Sequence, residues 1–472
     1  MTAGVALAAG LSGLRLGACR GLNPLPGSRA MPLRAVVEVE EPLYTYTPAD
    51  NGAGPLWCHG STVLARQGDQ VFFAGLETLA DQVPLNNCSW VLYGRGSRGW
   101  EAVHRDAKGR TREPSPIALL GNGGLLVSGN PTLTDAGTYS GPARPTVFRF
   151  ATADPAAPPA VEAPAWRGEP AFSEHSYRTV VADGPQSEVL YLQNVGYDVA
   201  HASFRHGDGR WEGLEALRWP WGGEYDPPRP LRLCYPNVVL RDRAAHFLGV
   251  GDIIEPVAAW KEAKFAVTQR EWDYVFRRLF YAWTPDVTRQ PFGAWTEVAN
   301  REATAGSTHN GDIHVDASGR AHLIWCEGNT DLRLRDRFFT GLRAAQTLEY
   351  AVLREGQVEQ RCTLARCDEG EDALQPQLGR FHVLPDGSLL VLASFSRHGQ
   401  GEARPSTIYR LAALDGGQSP AWIDVPFAHP MPGTFLTATE RGGSGRSVTL
   451  DLVGSWPEQG QTIGYARLRL SR

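Results

Sequence analysis

Methionine is scarce in this 472-residue chain, with 3 residues, and none of its 7 cysteines forms a Cys-X-X-Cys pair. The cysteines (Cys19, Cys58, Cys88, Cys234, Cys326, Cys362 and Cys367) are scattered. They imply neither a zinc site nor a disulfide framework, and each reads as a small buried apolar group. An excess of basic charge is also missing. With 46 Lys and Arg against 51 Asp and Glu, the formal net charge is -5. That balance gives no electrostatic reason for a nucleic-acid or anionic-membrane partner. Beyond the N-terminus, no stretch approaches the roughly 18 apolar residues needed to span a bilayer. Gly-rich phosphate loops, GxSxG elbows and HExxH pairs are absent, which removes nucleotide, serine-hydrolase and zincin chemistry.

Turn formers and aromatics are plentiful, with 52 Gly, 34 Pro and 14 Trp. That bias suits many short strands joined by tight turns, so an all-β class is expected. Residues 2–18 are small and apolar, and Leu16-Gly17-Ala18-Cys19 matches a bacterial lipoprotein cleavage box, yet no Lys or Arg precedes the run. Two readings follow for residues 1–30. They are a signal that makes the protein extracytoplasmic or lipid-anchored, or a leader outside a domain that starts at Met31 and stays cytoplasmic.

A weak repeat recurs seven times across residues 31–472, each unit opening with strand, tight turn, strand. The hairpins read 59–75, 115–129, 175–193, 234–251, 309–325, 377–394 and 434–453. Outer segments repeat as well: 89–103, 202–214, 279–298 and 409–425 each carry a polar turn and a strand opened by Trp. This is the pattern of a single seven-bladed β-propeller. The last unit lacks an outer strand, and RAVVEVEEPLYTYT (34–47) supplies one, so residues near 36–46 are expected to pair with those near 462–470. The first-to-second turns all read as tight, while long insertions at 254–278, 327–347 and 394–405 follow second strands. One face is therefore expected to be decorated, and sites favour such a mouth.

Counting nine residues back from the turn centres Gly68, Gly184 and Ser318 reaches His59, His175 and His309. The same offset reaches Gln377 and Thr434, and the fourth unit places Cys234 and Tyr235 there. Either these histidines satisfy loose backbone ends at the channel rim, or they form a functional cluster. Tyr177 and Arg178 follow His175, Asn237 follows Tyr235, and Asn310 and Asp312 follow His309. A base, a phenolic acid and a cation in one place can remove a proton beside a carboxylate. Histidine takes the carbon-bound proton, tyrosine protonates the leaving oxygen, and arginine or an amide neutralises the acid. His175, Tyr177, Arg178, Tyr235 and His309 are the catalytic candidates; His59, Asn237, Asn310, Asp312, Gln377, Arg333 and Arg335 are candidates for binding. No cofactor is implied, although a ring of His59, His175 and His309 leaves a divalent metal open. In the insertions, Trp260 and Trp272 either stack on sugars or pin a helix to the rim.

THNGDIHVDASGRAHLIWCEG (308–328) resembles the blade motif of BNR-type, Asp-box-like propellers, and WTPDVTRQPFGAW (283–295) is similar to a loosened Asp-box. The family most resembled is the ulvan-lyase-like group of polysaccharide lyases, with related propeller glycosidases. One or two blades carry the likeness. It implies degradation of an acidic polysaccharide at the channel mouth, with His and Tyr as base and acid and Arg as neutraliser. A β-eliminative lyase is expected ahead of a glycoside hydrolase. A non-catalytic glycan- or protein-binding propeller stays open, because the fold hosts both.

Overall fold

The computed structural model describes residues 32–106, 109–397, 406–414 and 420–472. The expected leader (1–30), the end of the third insertion (398–405) and one outer turn (415–419) lie outside the described residues. Short runs of β-branched and aromatic residues bounded by Gly, Asp and Ser form the strands. The first strands are buried almost throughout, as in Arg178–Asp183, because side chains on both faces meet a neighbouring sheet.

Seven four-stranded antiparallel sheets follow in chain order. Blade 1 comprises Leu64–Gln67, Gln70–Thr78, Cys88–Gly96 and Gly99–Arg105; blade 2 comprises Ile117–Leu119, Gly124–Gly129, Thr146–Ala151 and Ala160–Glu162. Blade 3 runs Arg178–Asp183, Glu188–Val195, Val199–Arg205 and Trp211–Gly213, with Leu217–Arg218 added beside its third strand. Blade 4 runs Leu233–Arg241, Ala244–Gly251, Arg278–Thr284 and Thr296–Asn300. Blade 5 runs Ser307–Val315, Ala321–Gly328, Ala345–Arg354 and Gln357–Asp368; blade 6 runs Gln375–Val383, Leu389–Arg397, Ser406–Ala413 and Ile423–Val425. Blade 7 takes Phe435–Thr437, Thr449–Trp456 and Thr462–Ser471 from the end of the chain and Arg34–Thr45 from its beginning. Arg34 pairs with Ser471 and Thr45 with Thr462, the closure expected from the sequence.

Apolar clusters lie between blades. Ala65, Phe72 and Trp90 of blade 1 meet Ile117, Leu125 and Phe150 of blade 2. The repeated tryptophans act at the same seams. Trp100 meets Tyr465 of blade 7 edge-on at 5.1 Å, Trp211 donates to Glu162 of blade 2 at 2.9 Å, and Trp295 donates to the Arg218 carbonyl at 2.9 Å. In the loosened Asp-box, Asp286 accepts from the Thr288 backbone and hydroxyl, which closes the turn locally.

Two helices occupy the second-to-third-strand insertions among the described residues, α1 (Ala258–Thr268) in blade 4 and α2 (Leu332–Phe338) in blade 5. Long segments also join the blades themselves, at 163–177 and 219–232, so the decorated face is built from both kinds of connection.

One sequence expectation is corrected. In blade 7 the first strand stops at Thr437 and the second starts at Thr449. The intervening Gly-Gly-Ser-Gly segment is not a tight turn; it crosses the far end of the channel. There the Gly442 carbonyl accepts from Leu119 N at 2.8 Å and the Arg441 carbonyl from Ala182 N at 2.9 Å. Gly443, at φ +83°, passes so close to blade 2 that a Cβ would stand 2.0 Å from the Leu119 carbonyl oxygen.

The near end is closed by a second segment, Trp57 to Thr62, which leads into blade 1. Its carbonyls are gripped by buried side chains. His59 O accepts from Arg380 Nη2 at 2.8 Å, and Gly60 O accepts from Arg441 Nη1 at 2.6 Å and Asn237 Nδ2 at 3.3 Å. Ser61 Oγ donates to Arg178 O at 3.0 Å and Thr62 Oγ1 to Ile117 O at 2.7 Å. Burial pulls the Arg380 pKa down to about 10, so it stays cationic at neutral pH inside the channel. The channel is therefore plugged at both ends by its own chain.

Candidate functional site

The near plug forms the floor of the mouth and carries His59 across the channel entrance. The His59 ring stacks on Tyr235 of blade 4 at 4.7 Å, and its buried Nδ1 has no hydrogen-bond partner. Tyr235 sits at a bulge with φ 50°, which turns its ring towards the plug; its hydroxyl accepts from Trp57 Nε1 at 2.8 Å. Tyr177 of the segment entering blade 3 meets Trp57 at 5.8 Å and Tyr235 at 6.1 Å. Phe276 lies 6.0 Å from Tyr235 and 6.3 Å from His309, which lies in the first strand of blade 5. A continuous aromatic surface thus joins His59, Tyr235, Tyr177 and His309.

Electrostatics fix the protonation states. Desolvation lowers the His59 pKa well below the usual imidazole range, and Arg380, His309 and Arg441 reinforce it. His309 is solvent-accessible at the rim but crowded by its surroundings, and that desolvation lowers its pKa as well. Both rings are neutral at pH 7, each with a basic nitrogen. Burial raises both Tyr177 and Tyr235, so both phenols stay protonated.

His175 is different. It is exposed, and its Nδ1 lies 2.5 Å from Arg112 Nη1. Arginine only donates, so Nδ1 is the accepting nitrogen, and the proton assigned by this contact is on Nε2. Desolvation and then Arg112 lower this imidazole to about 4. His175 therefore offers the mouth an N–H donor rather than a base.

Two cations beside this aromatic surface, Arg112 and Arg232, are not among the candidates the sequence singles out. Arg112 lies over Trp57 at 4.8 Å and contacts Glu113, whose carboxyl is fully buried and pushed up to about 7, chiefly by desolvation. Desolvation favours the protonated form of Glu113, which weakens it as a counter-ion for Arg112. Arg232 is ion-paired with Asp252 and lies against Tyr177, Tyr197 and Tyr274 at 5.2, 4.4 and 5.8 Å. Arg178 is buried beneath the mouth and donates to Glu113 O, Ser115 Oγ and Ser128 O.

The remaining candidates are dispersed. Asn310 donates to Tyr235 O at 2.6 Å and to Asn237 Oδ1, which holds the bulge and the plug together inside the channel. Asp312 is buried, accepting from Arg441 Nε at 3.0 Å and Phe381 N at 3.1 Å. Gln377 is exposed on blade 6 and donates to Ser396 Oγ at 3.0 Å. Arg333 is paired with Asp331 and Asp273, and Arg335 with Asp336 and Glu369. Trp260 packs on Phe338 and Phe339, pinning α1 to α2, while Trp272 stays 69% exposed. Among the described residues no group of three or more His, Cys, Asp or Glu is placed to hold a metal ion. His59, His175 and His309 do not form such a set, because His175 turns to Arg112.

No family model matches the chain, and no curated protein matches it. Solved structures that it is similar to include the polysaccharide lyase Uly1, at a TM-score of 0.48 and 11% identity over 92% of this chain and 93% of that one. Another is an α-L-arabinofuranosidase of Fusarium graminearum in complex with arabinobiose, at 0.37 and 11% over 75% and 93%. A third is an endo-arabinase from Bacteroides thetaiotaomicron, at 0.33 and 11% over 63% and 94%.

Proposed function

We propose that the mouth binds an acidic polysaccharide and cleaves it by β-elimination. The observation carrying this reading is the convergence of two neutral imidazoles, two protonated phenols and a cation on one aromatic surface. His309, aided by His59, takes the proton from the carbon beside the sugar carboxylate. The electron pair forms a carbon–carbon double bond and expels the glycosidic oxygen, which Tyr235 protonates. Trp57 donates to the Tyr235 oxygen and leaves the phenolic proton free for this transfer. Arg112 and the Nε2–H of His175 hold the carboxylate as negative charge develops on it. The products are a new reducing end and an unsaturated uronate.

A second reading, binding without chemistry, is favoured by one observation. Arg232 already has Asp252 as its counter-ion, which leaves less cation for a carboxylate. Incubation of the full chain with a panel of acidic polysaccharides separates the readings. Ultraviolet absorbance and reducing ends rising together support elimination, and their loss in His309→Ala supports the assignment of the base. Reducing ends without absorbance point to hydrolysis. Retention of the polysaccharide on the protein without either signal favours binding.

A further inference from the structure

Beside the mouth, on the same face, a cavity of about 790 Å³ opens between blades 6 and 7. It falls within the range of about 300–1,000 Å³ typical of small-molecule sites. Gln375 and Gln377 from the first strand of blade 6, and Ser394 and Ser396 from the second, form one wall. His429 and Trp456 of blade 7, in ring contact at 5.1 Å, belong to the other.

Two polar atoms of this lining are unexplained by the fold. Ser394 is 1% exposed and Trp456 is 4% exposed, yet Ser394 Oγ and Trp456 Nε1 have no hydrogen-bond partner. A buried donor left without a partner costs about 1–3 kcal/mol, and both residues stand in the walls on which the cavity opens. The described lining holds no Lys or Arg, and its one carboxylate belongs to the exposed Glu458. Among the described lining residues an anionic ligand meets the Glu458 carboxylate and no Lys or Arg. Amides and hydroxyls, which both donate and accept, match a ligand rich in hydroxyl groups. The proline and tryptophan surfaces match the C–H faces of a sugar ring.

We infer that this cavity is a binding site for an uncharged sugar, separate from the His/Tyr/Arg mouth. The assignment stands whether or not the mouth is catalytic.

The test uses the full chain labelled with ¹⁵N, in which the Trp456 indole N–H signal is identified by its loss in Trp456→Phe. Methyl glycosides of galactose, xylose, arabinose and rhamnose are titrated in, with galacturonate as the charged control. The expected result is a saturable shift of that signal with at least one neutral glycoside and none with galacturonate. Gln377→Ala together with Ser396→Ala should weaken the affinity about tenfold or more, as expected for the loss of two hydrogen-bonding groups. No shift with any neutral glycoside overturns the assignment. So does an equal shift with galacturonate, or an affinity unchanged in the double variant. Repeating the titration in His309→Ala keeps the result independent of turnover at the mouth.

Discussion

The two ends of the channel are built from the same materials and use them in opposite ways. Each is closed by a crossing segment, and each gathers histidines. At the far end, a cavity of about 450 Å³ is lined by His314, His382, Glu440 and Arg446. Two of its groups are held by the protein: Arg446 bonds Glu440 at 2.8 Å and His382 Nε2 bonds the Ser447 carbonyl at 2.7 Å, while His314, lowered by burial to about 3 and so neutral, lies 3.5 Å from Glu440. His246 and His322 deeper in the blades are likewise bonded to Tyr281 and Tyr350. At the near end, His59 Nδ1 has no partner and the phenols stand in an aromatic wall with protons to give. A histidine bonded on both sides by the protein holds the structure; His309, exposed at the rim, can meet a substrate.

The comparison can be broken at several points. The largest effect is expected at Arg441, whose guanidinium ties Asp312 to the near plug. Arg441→Ala strands a buried carboxylate and should lower the unfolding free energy by about 3–5 kcal/mol, read from urea denaturation. Next comes a matched pair of histidines. His309→Ala should reduce turnover of the polysaccharide found in the panel by about 10²–10⁴-fold while leaving the denaturation midpoint nearly unchanged. His382→Ala should do the reverse, keeping turnover per folded molecule and losing about 1 kcal/mol of stability with its one hydrogen bond. A swapped outcome would erase the distinction between the two ends. Tyr235→Phe should lower turnover and also cost about 1 kcal/mol, because Trp57 Nε1 loses its acceptor.

A change of pH slope is also expected. Burial raises the Glu113 carboxyl from 4.5 to about 7, so between these values the folded protein keeps a proton that the unfolded chain has released. Stability from this group is therefore lost as pH rises through that window and levels above it. Glu113→Gln should flatten that fall when denaturation is compared at about pH 5 and about pH 7.5.

Ring closure was legible because an alternating strand at one end of the chain matched a missing strand at the other, and hairpin turns mark themselves with Gly and Asp. The plugs were not legible. Trp57–Thr62 has no periodicity, and its partners Arg380 and Arg441 lie over 300 residues away in sequence. In blade 7, Gly442-Gly443-Ser444-Gly445 looked like a turn because the same freedom of glycine serves a tight turn and a close crossing. The nine-residue offset brought His59, His175 and His309 to notice, yet two of them precede their strands, which start at Leu64 and Arg178. Counting along a strand loses its meaning once the chain leaves the sheet. His59 therefore reaches over the channel, while His175 turns to Arg112. Arg112 and Arg232 escaped notice because both stand in irregular connections, where no pattern sets an arginine at a site apart from one on a solvated loop.

The strand Arg34–Thr45 and the near plug that follows it have a consequence for how the protein comes into being. Both segments precede all six of the other blades in the chain, yet the strand's partner, Thr462–Ser471, follows all six. Through nearly the whole of synthesis the opening strand has an unsatisfied edge, and the segment carrying His59 has neither Arg380 nor Arg441 to seat it. Contacts of such long sequence separation form slowly. Seating of the near plug therefore waits on the last blade, and a chain that stalls before blade 7 has six blades and lacks Arg441 to hold Gly60.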